Sequence, residues 1–156
     1  MKPDTASRIG HDHRAAEPGE QGEKARVKGF DAPRENLGEL DVDTAAVLVA
    51  AAADLALVVD RDGRVVDVAV GIDPPTVDSP ERWRGQRLVD TVAPDSRDKI
   101  SRLLAEADAA PARWRQINHP GADGADLPMQ YCAYATREGG PIVVIGRDLQ
   151  GVAALQ

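Results

Sequence analysis

Large apolar residues are scarce before Leu40 and dense after it. Two strand-length runs come first, Asp54-Leu-Ala-Leu-Val-Val-Asp60 and Arg64-Val-Val-Asp-Val-Ala-Val70, joined by Arg61-Asp62-Gly63. The glycine suits a tight hairpin turn, where the backbone takes positive φ. In the first run Leu55, Leu57 and Val59 alternate with Ala56 and Val58, so both faces are predicted to be buried. In the second, Val66, Val68 and Val70 alternate against Val65, Asp67 and Ala69, which leaves one face partly polar. Residues 71–82 contain Pro74, Pro75 and Pro80 and predict an irregular loop, followed by a short turn that packs Trp83 and Leu88. Helical spacing of Ile100, Leu103, Leu104 and Ala107 predicts a helix over 97–107, with Arg97, Lys99, Arg102 and Glu106 facing water. Three more strands are predicted over 113–119, 129–136 and 142–146. Trp114, Gln116 and Asn118 fall on one face, with Ile117 and His119 opposite. Met129, Tyr131 and Ala133 share a face, with Gln130, Cys132 and Tyr134 on the other. The wholly apolar Ile142-Val-Val-Ile145 suits a central strand.

Ahead of the strands lies Ala45-Ala-Val-Leu-Val-Ala-Ala-Ala-Ala53, preceded by the helix-cap candidates Asp41 and Asp43. It predicts a short helix that is apolar nearly all round, with Val42, Leu48, Val49 and Ala52 on one stripe. Such a helix needs cover on more than one side, from its own sheet or from a second subunit. At the other end Asp148 is placed to cap an outgoing helix over 149–156, in which Val152 and Leu155 have the spacing of a coiled-coil seam. The pattern stops while still apolar, which predicts a fragment of a longer chain. Residues 1–40 are rich in Gly, Pro, Glu, Lys and Arg, with Val27, Phe30 and Leu37 isolated. That segment buries too little to offset its ordering entropy and is predicted to be a disordered tail. The domain reading is therefore 1–40 tail, 41–148 folded domain and 149–156 start of an exit helix.

Composition narrows the function classes. Aromatic residues make up 3% of the chain, so the core must come from Ala, Val, Leu and Ile, and platforms for stacking bases are disfavoured. A net charge of -7 disfavours direct binding to nucleic acid or to an anionic membrane. No apolar run reaches membrane-spanning length and no secretory signal is visible, which predicts a cytoplasmic protein. The single cysteine, Cys132, excludes an intramolecular disulfide and a thiolate zinc site. His11-Asp12-His13 lies on the polar tail and is a poor ligand set, so no metal site is expected. A haem would need an axial ligand such as His119, which precedes Pro120-Gly121 and is expected at a hydrogen-bonded strand edge near the surface. Hydrolase elbows, phosphate loops, zinc-protease motifs and dinucleotide fingerprints are missing, so no enzyme is expected.

The order of two strands, a helical middle, three strands and a helical exit resembles a PAS domain. This is an α+β fold with a five-stranded antiparallel sheet and flanking helices, here preceded by an N-terminal helix and a tail. The runs Trp114–His119, Leu127-Pro-Met-Gln-Tyr131 and Ile142-Val-Val-Ile-Gly-Arg-Asp-Leu149, with Ala53-Asp-Leu-Ala-Leu57 and Trp83-Arg-Gly85, are similar to the first PAS-like domain of the PpsR/CrtJ family, repressors of photosynthesis genes. The resemblance covers about the last three-quarters of the chain. It implies homo-oligomeric assembly and a longer chain that binds DNA through a helix-turn-helix, which this sequence lacks. The family's redox cysteines lie mostly outside this domain, so redox sensing is not transferred to Cys132. Cys132 also lies in the wrong element for a flavin-binding photosensor.

The expectation is a signalling and dimerisation module of a transcriptional regulator, without a cofactor of its own. A homodimer is expected, with a regulatory protein as a further partner class. The interface residues are expected to be Val42, Ala45, Leu48, Val49 and Ala52 on the first helix, with Leu149, Val152 and Leu155 on the exit helix. The alternative is a small-ligand sensor, in which the sheet and the helix over 97–107 enclose a molecule that shifts dimer geometry.

Overall fold

The computed structural model describes residues 28–109 and 113–150. Within them lie α1 (Pro33–Leu37), α2 (Val42–Ala52), β1 (Leu55–Val59), β2 (Val65–Val70), α3 (Arg97–Ala105), β3 (Arg115–Pro120), β4 (Asp126–Ala135) and β5 (Ile142–Asp148). Three single-turn 3-10 helices, Pro80–Trp83, Leu88–Asp90 and Pro94–Ser96, occupy the stretch between β2 and α3. The strands form one antiparallel sheet in the order β2-β1-β5-β4-β3. The apolar run Ile142–Ile145 is thus central, as its lack of polar positions predicts. α1 forms within the segment expected to be a tail and buries no residue.

Strand alternation decides what each face holds. Leu55, Leu57 and Val59, Ile117 and His119, Met129, Tyr131 and Ala133, and Ile142 and Val144 all point inward and are buried. α3 covers this inner face with Ile100 and Leu103, and its trailing turn adds Ala107. The helix proper ends at Ala105, two residues before the sequence pattern ends, because the chain tightens into a turn that sends the Ala107 carbonyl to the Ala135 N–H at 2.9 Å. Gly146 of β5 pairs with Tyr131 of β4, and the tyrosine ring lies across the glycine. A Cβ at Gly146 would stand 2.6 Å from Tyr131 Cε1, so only glycine leaves room for the ring.

β2 departs from simple alternation. A register shift opposite Val58 and Val59 inserts Val66 as an extra residue. Val65 is therefore buried and Val66 is 56% exposed. The bulge turns Val65 to the core side with Val68, against the strict two-residue period that groups Val66 with Val68.

Both sheet edges are partly occupied, which limits pairing with foreign strands. On β3, the Asn118 carbonyl accepts from Ala93 N–H at 2.7 Å, and Asn118 N–H donates to the buried Ser96 Oγ at 2.9 Å. On β2, Val65 exchanges hydrogen bonds with Gln86 and Gly85. Arg61 in the β1–β2 turn donates both terminal nitrogens to Asp108 at 2.8 Å and its Nε to the Gly140 carbonyl at 2.8 Å. One guanidinium thereby ties three loops at the same end of the sheet.

Gly146→Ala is expected to force the Tyr131 ring out of place and cost about 1–3 kcal/mol. Urea unfolding of the variant against the parent chain measures it, and an unchanged midpoint would show that the ring has another resting place.

Candidate functional site

α2 owes its start to Asp41, whose Oδ1 accepts from Thr44 N–H at 2.7 Å. Asp43 adds a favourable negative charge in the first turn. The cap hydrogen bond holds the Asp41 carboxyl below its ordinary range. The helix stops at Ala53, where the backbone turns extended and leads into β1. It holds no polar residue beyond Asp43 and Thr44, yet it buries none of its residues.

The expected single stripe divides between two sides of the helix. Ala45 and Val49 are half-buried toward the sheet, whereas Leu48 and Ala52 are exposed. Val42 is 84% exposed, Val47 66% and Leu48 51%. Neighbouring helical positions differ by about 100° in direction, so Leu48 and Val49 cannot both lie on one narrow stripe. Between α2 and the outer face of the sheet runs an apolar groove of about 430 Å³. Val42, Ala45 and Val49 line one wall, with Ala56, Val58 and Val143 on the other. Alanines make up much of the lining, and their small side chains leave the space unfilled. Leu149, at the start of the exit helix, is half-buried; Val152 and Leu155 lie outside the described residues.

The outer face continues from this groove across β5, β4 and β3. Val143, Ile145 and Tyr134 are half-buried there. Trp114 carries the Arg147 guanidinium 4.2 Å above its ring, a cation–π contact. Cys132 lies on the same face but is only 2% exposed, and burial raises its thiol pKa, which disfavours the reactive thiolate.

The inner face holds a polar cluster that the sequence did not reveal. His119 is 1% exposed, which corrects its expected place near the surface. The 3-10 turn Pro80–Trp83 brings the indole of Trp83 flat against the imidazole, 4.6 Å between ring centres. His119 Nδ1 lies 2.8 Å from the Thr91 carbonyl, which only accepts, so Nδ1 carries the proton. Nε2 therefore accepts from the Tyr131 hydroxyl at 2.7 Å. Both ring nitrogens are engaged, so neither is free to ligate a haem in this arrangement. Burial lowers the His119 pKa, opposed by the Thr91 hydrogen bond. Burial, and secondarily the Asp148 charge, pushes the Tyr131 phenol well above its ordinary range. The strand register offsets His119 and Tyr131 by four residues, so only the length of the tyrosine side chain joins them. Their shared inward face was the one signal available in the sequence.

Asp148 and Asp54 form a joint between the two helical ends of the domain. Asp148 Oδ1 accepts from Gln150 N–H at 2.9 Å, the helix-capping role expected from sequence. Its Oδ2 accepts from Thr76 N–H in the loop after β2. Asp148 N–H in turn donates to Asp54 Oδ2 at 2.8 Å, two residues beyond α2. On the α3 side of the sheet, a cleft of about 340 Å³ opens between the β1–β2 turn and α3, lined by Arg61, Arg87, Val89, Ser101 and Leu104.

Tyr131→Phe is expected to leave His119 Nε2 buried without a donor and to cost about 1–3 kcal/mol, read from denaturant midpoints. The pH dependence follows from the lowered His119 pKa. Below the ordinary imidazole value the unfolded chain binds a proton that the folded chain resists. Stability from this residue is full above about pH 6.5 and falls as pH drops toward the folded-state pKa. Thermal melts between pH 8 and 5 should show this fall in the parent chain and a flatter profile in His119→Asn; parallel profiles would contradict it.

The family match agrees with this architecture. A family described as the PAS fold matches residues 49–154. Protein CrtJ of Rhodobacter capsulatus is 37% identical over 127 residues, which cover 79% of this chain and 26% of CrtJ. The chain thus spans about a quarter of the length of that relative. Among solved structures, the PAS domain of an HTR-like protein from Haloarcula marismortui aligns with TM-score 0.47 at 16% identity, over 69% of this chain and 98% of that one. A domain of a sensory box sensor histidine kinase/response regulator from Geobacter sulfurreducens aligns with TM-score 0.49 at 16% identity, over 68% and 92%. With the five-stranded sheet and the family match together, this chain belongs to the PAS family, and its likeness to CrtJ supports a PAS domain of the CrtJ/PpsR kind.

Proposed function

We propose that this chain is the assembly module of a CrtJ-type transcriptional regulator, a repressor of photosynthesis genes. It associates as a homodimer through α2 and the exit helix, while DNA is contacted by another domain of the longer protein. The reading is of a cytoplasmic regulator that binds partners and carries out no chemistry. Among the described residues no helix is long and apolar enough to cross a membrane.

One observation carries the proposal: α2 is almost wholly apolar and buries none of its residues. An apolar helix left open to water is unfavourable, by about 25 cal/mol for each Å² of apolar surface. The cost is removed when a second surface covers it. The groove beside α2 and the exposed Leu48 belong to the same element, so each copy offers both a projection and a recess. A two-fold dimer uses such a surface twice. The joint from Asp54 to Asp148 supports a role for the exit helix, because it links α2 to the segment that leaves the domain. Ligand sensing on the inner face has less support. Tyr131, Met129, Leu103 and Ile117 pack together between the sheet and α3, and the cleft beside α3 is an open one edged by the charged Asp60, Arg61, Asp62 and Arg87.

Leu48→Asp places a charge in the proposed interface and should weaken self-association by ~100-fold or more. Leu48 is half open in the monomer, so folding should survive. Sedimentation velocity across a concentration series measures the change. A parent chain that is monomeric at high concentration, or a variant with the parent's mass, would sink the reading.

A further inference from the structure

The β1–β2 turn and the stretch before α3 are fastened to each other. The Gly63 carbonyl accepts from Leu88 N–H at 2.8 Å, and Arg64 stands opposite Arg87 in an antiparallel bridge. Arg64 Nη1 donates to the Gly85 carbonyl at 2.9 Å. The turn itself is held by Asp60, whose Oδ1 accepts from the N–H groups of Asp62 and Arg64, each at 2.9 Å. Beside this joint lie the cleft of about 340 Å³ along α3 and a smaller recess, and Asp62 and Arg87 line both. Their charges are opposite, yet no ion pair joins them. Among the described residues neither side chain has a hydrogen-bond or ion-pair partner. We infer that the cleft beside α3 binds a free α-amino acid with an apolar side chain, its carboxylate on the Arg87 guanidinium and its ammonium on the Asp62 carboxylate.

Charge decides the class of ligand. Arg61 is committed to Asp108 and the Gly140 carbonyl. Arg64 and Arg87 are balanced by Asp60 and Asp62, so the rim has no net charge. A phosphate or a dicarboxylate would meet two carboxylates there, and a polyamine would meet two guanidinium groups. A zwitterion meets opposite charge at both ends, and carboxylate on guanidinium is the pairing that the planar fork of arginine favours. The floor then selects the side chain. Val89, Ile100, Leu104 and Ile142 form it, so a polar side chain would lose water without gaining a partner. The volume is at the low end for a small-molecule site, which suits one amino acid and not a nucleotide or a haem. Both walls are pinned before a ligand arrives, which keeps the ordering cost of binding small. Binding here needs no second copy of the chain.

Titration of the 156-residue chain with L-leucine, followed by amide chemical shifts in NMR spectra, tests it. Isocaproate lacks the ammonium, isoamylamine lacks the carboxylate and glycine lacks the side chain. The expected result is saturable shifts at Gly63, Arg87, Val89, Ser101 and Leu104, with each of the three analogues about 10-fold or more weaker than leucine. Arg87→Gln and Asp62→Asn should each weaken leucine by ~10-fold or more. Both residues are exposed, so the ligand-free melting temperatures should match the parent's. Isocaproate binding as well as leucine would show a plain carboxylate site and overturn the inference. Shifts confined to another part of the chain, or none at leucine concentrations of about 10 mM, would overturn it as well. None of these outcomes alters the proposed homodimer, whose residues lie on other elements.

Discussion

Tyr131 crossing Gly146 is the contact around which the inner face is arranged. The bare glycine of the central strand admits the ring at a depth where any side chain would collide. The hydroxyl must then find an acceptor away from water, because an unpaired buried hydroxyl is costly. It finds His119 Nε2, and the Thr91 carbonyl fixes the tautomer that makes this nitrogen an acceptor. Trp83 closes the stack from the loop side. One small residue thus makes room for the tyrosine, and the Thr91 carbonyl and Trp83 complete the cluster from the stretch between β2 and α3.

This satisfied interior directs attention to the opposite face. The core side of the sheet is covered by α3 and its turn, while the outer side is left to a thin, alanine-rich helix that rests on it without burying itself. Apolar surface exposed on both α2 and the sheet is surface that any association would remove from water. The hydrogen bond from Asp148 N–H to Asp54 ties the chain just beyond α2 to the end of β5.

Most of the fold was legible because its determinants are local. Alternation located the faces of β3 and β4, the apolar run located the central strand, and Asp41 and Asp148 announced their caps three and two residues ahead. The bulge at Val66 was not legible, since one inserted residue breaks the period that the reading relies on. Helix periodicity was equally blind to which side of α2 faces the sheet, because nearly every position there is apolar.

By itself the sequence determined the element order, the inward set of each regular strand and a helix too apolar to stand alone in water. These follow from periodicity, turn chemistry and capping, which act over a few residues. Only the tertiary structure decided that His119 is buried, that it pairs with Tyr131, and that α2 leaves Leu48 outward and Val49 inward. Those outcomes depend on how a distant turn, a neighbouring strand and a bare glycine converge in space, and no local pattern encodes that convergence.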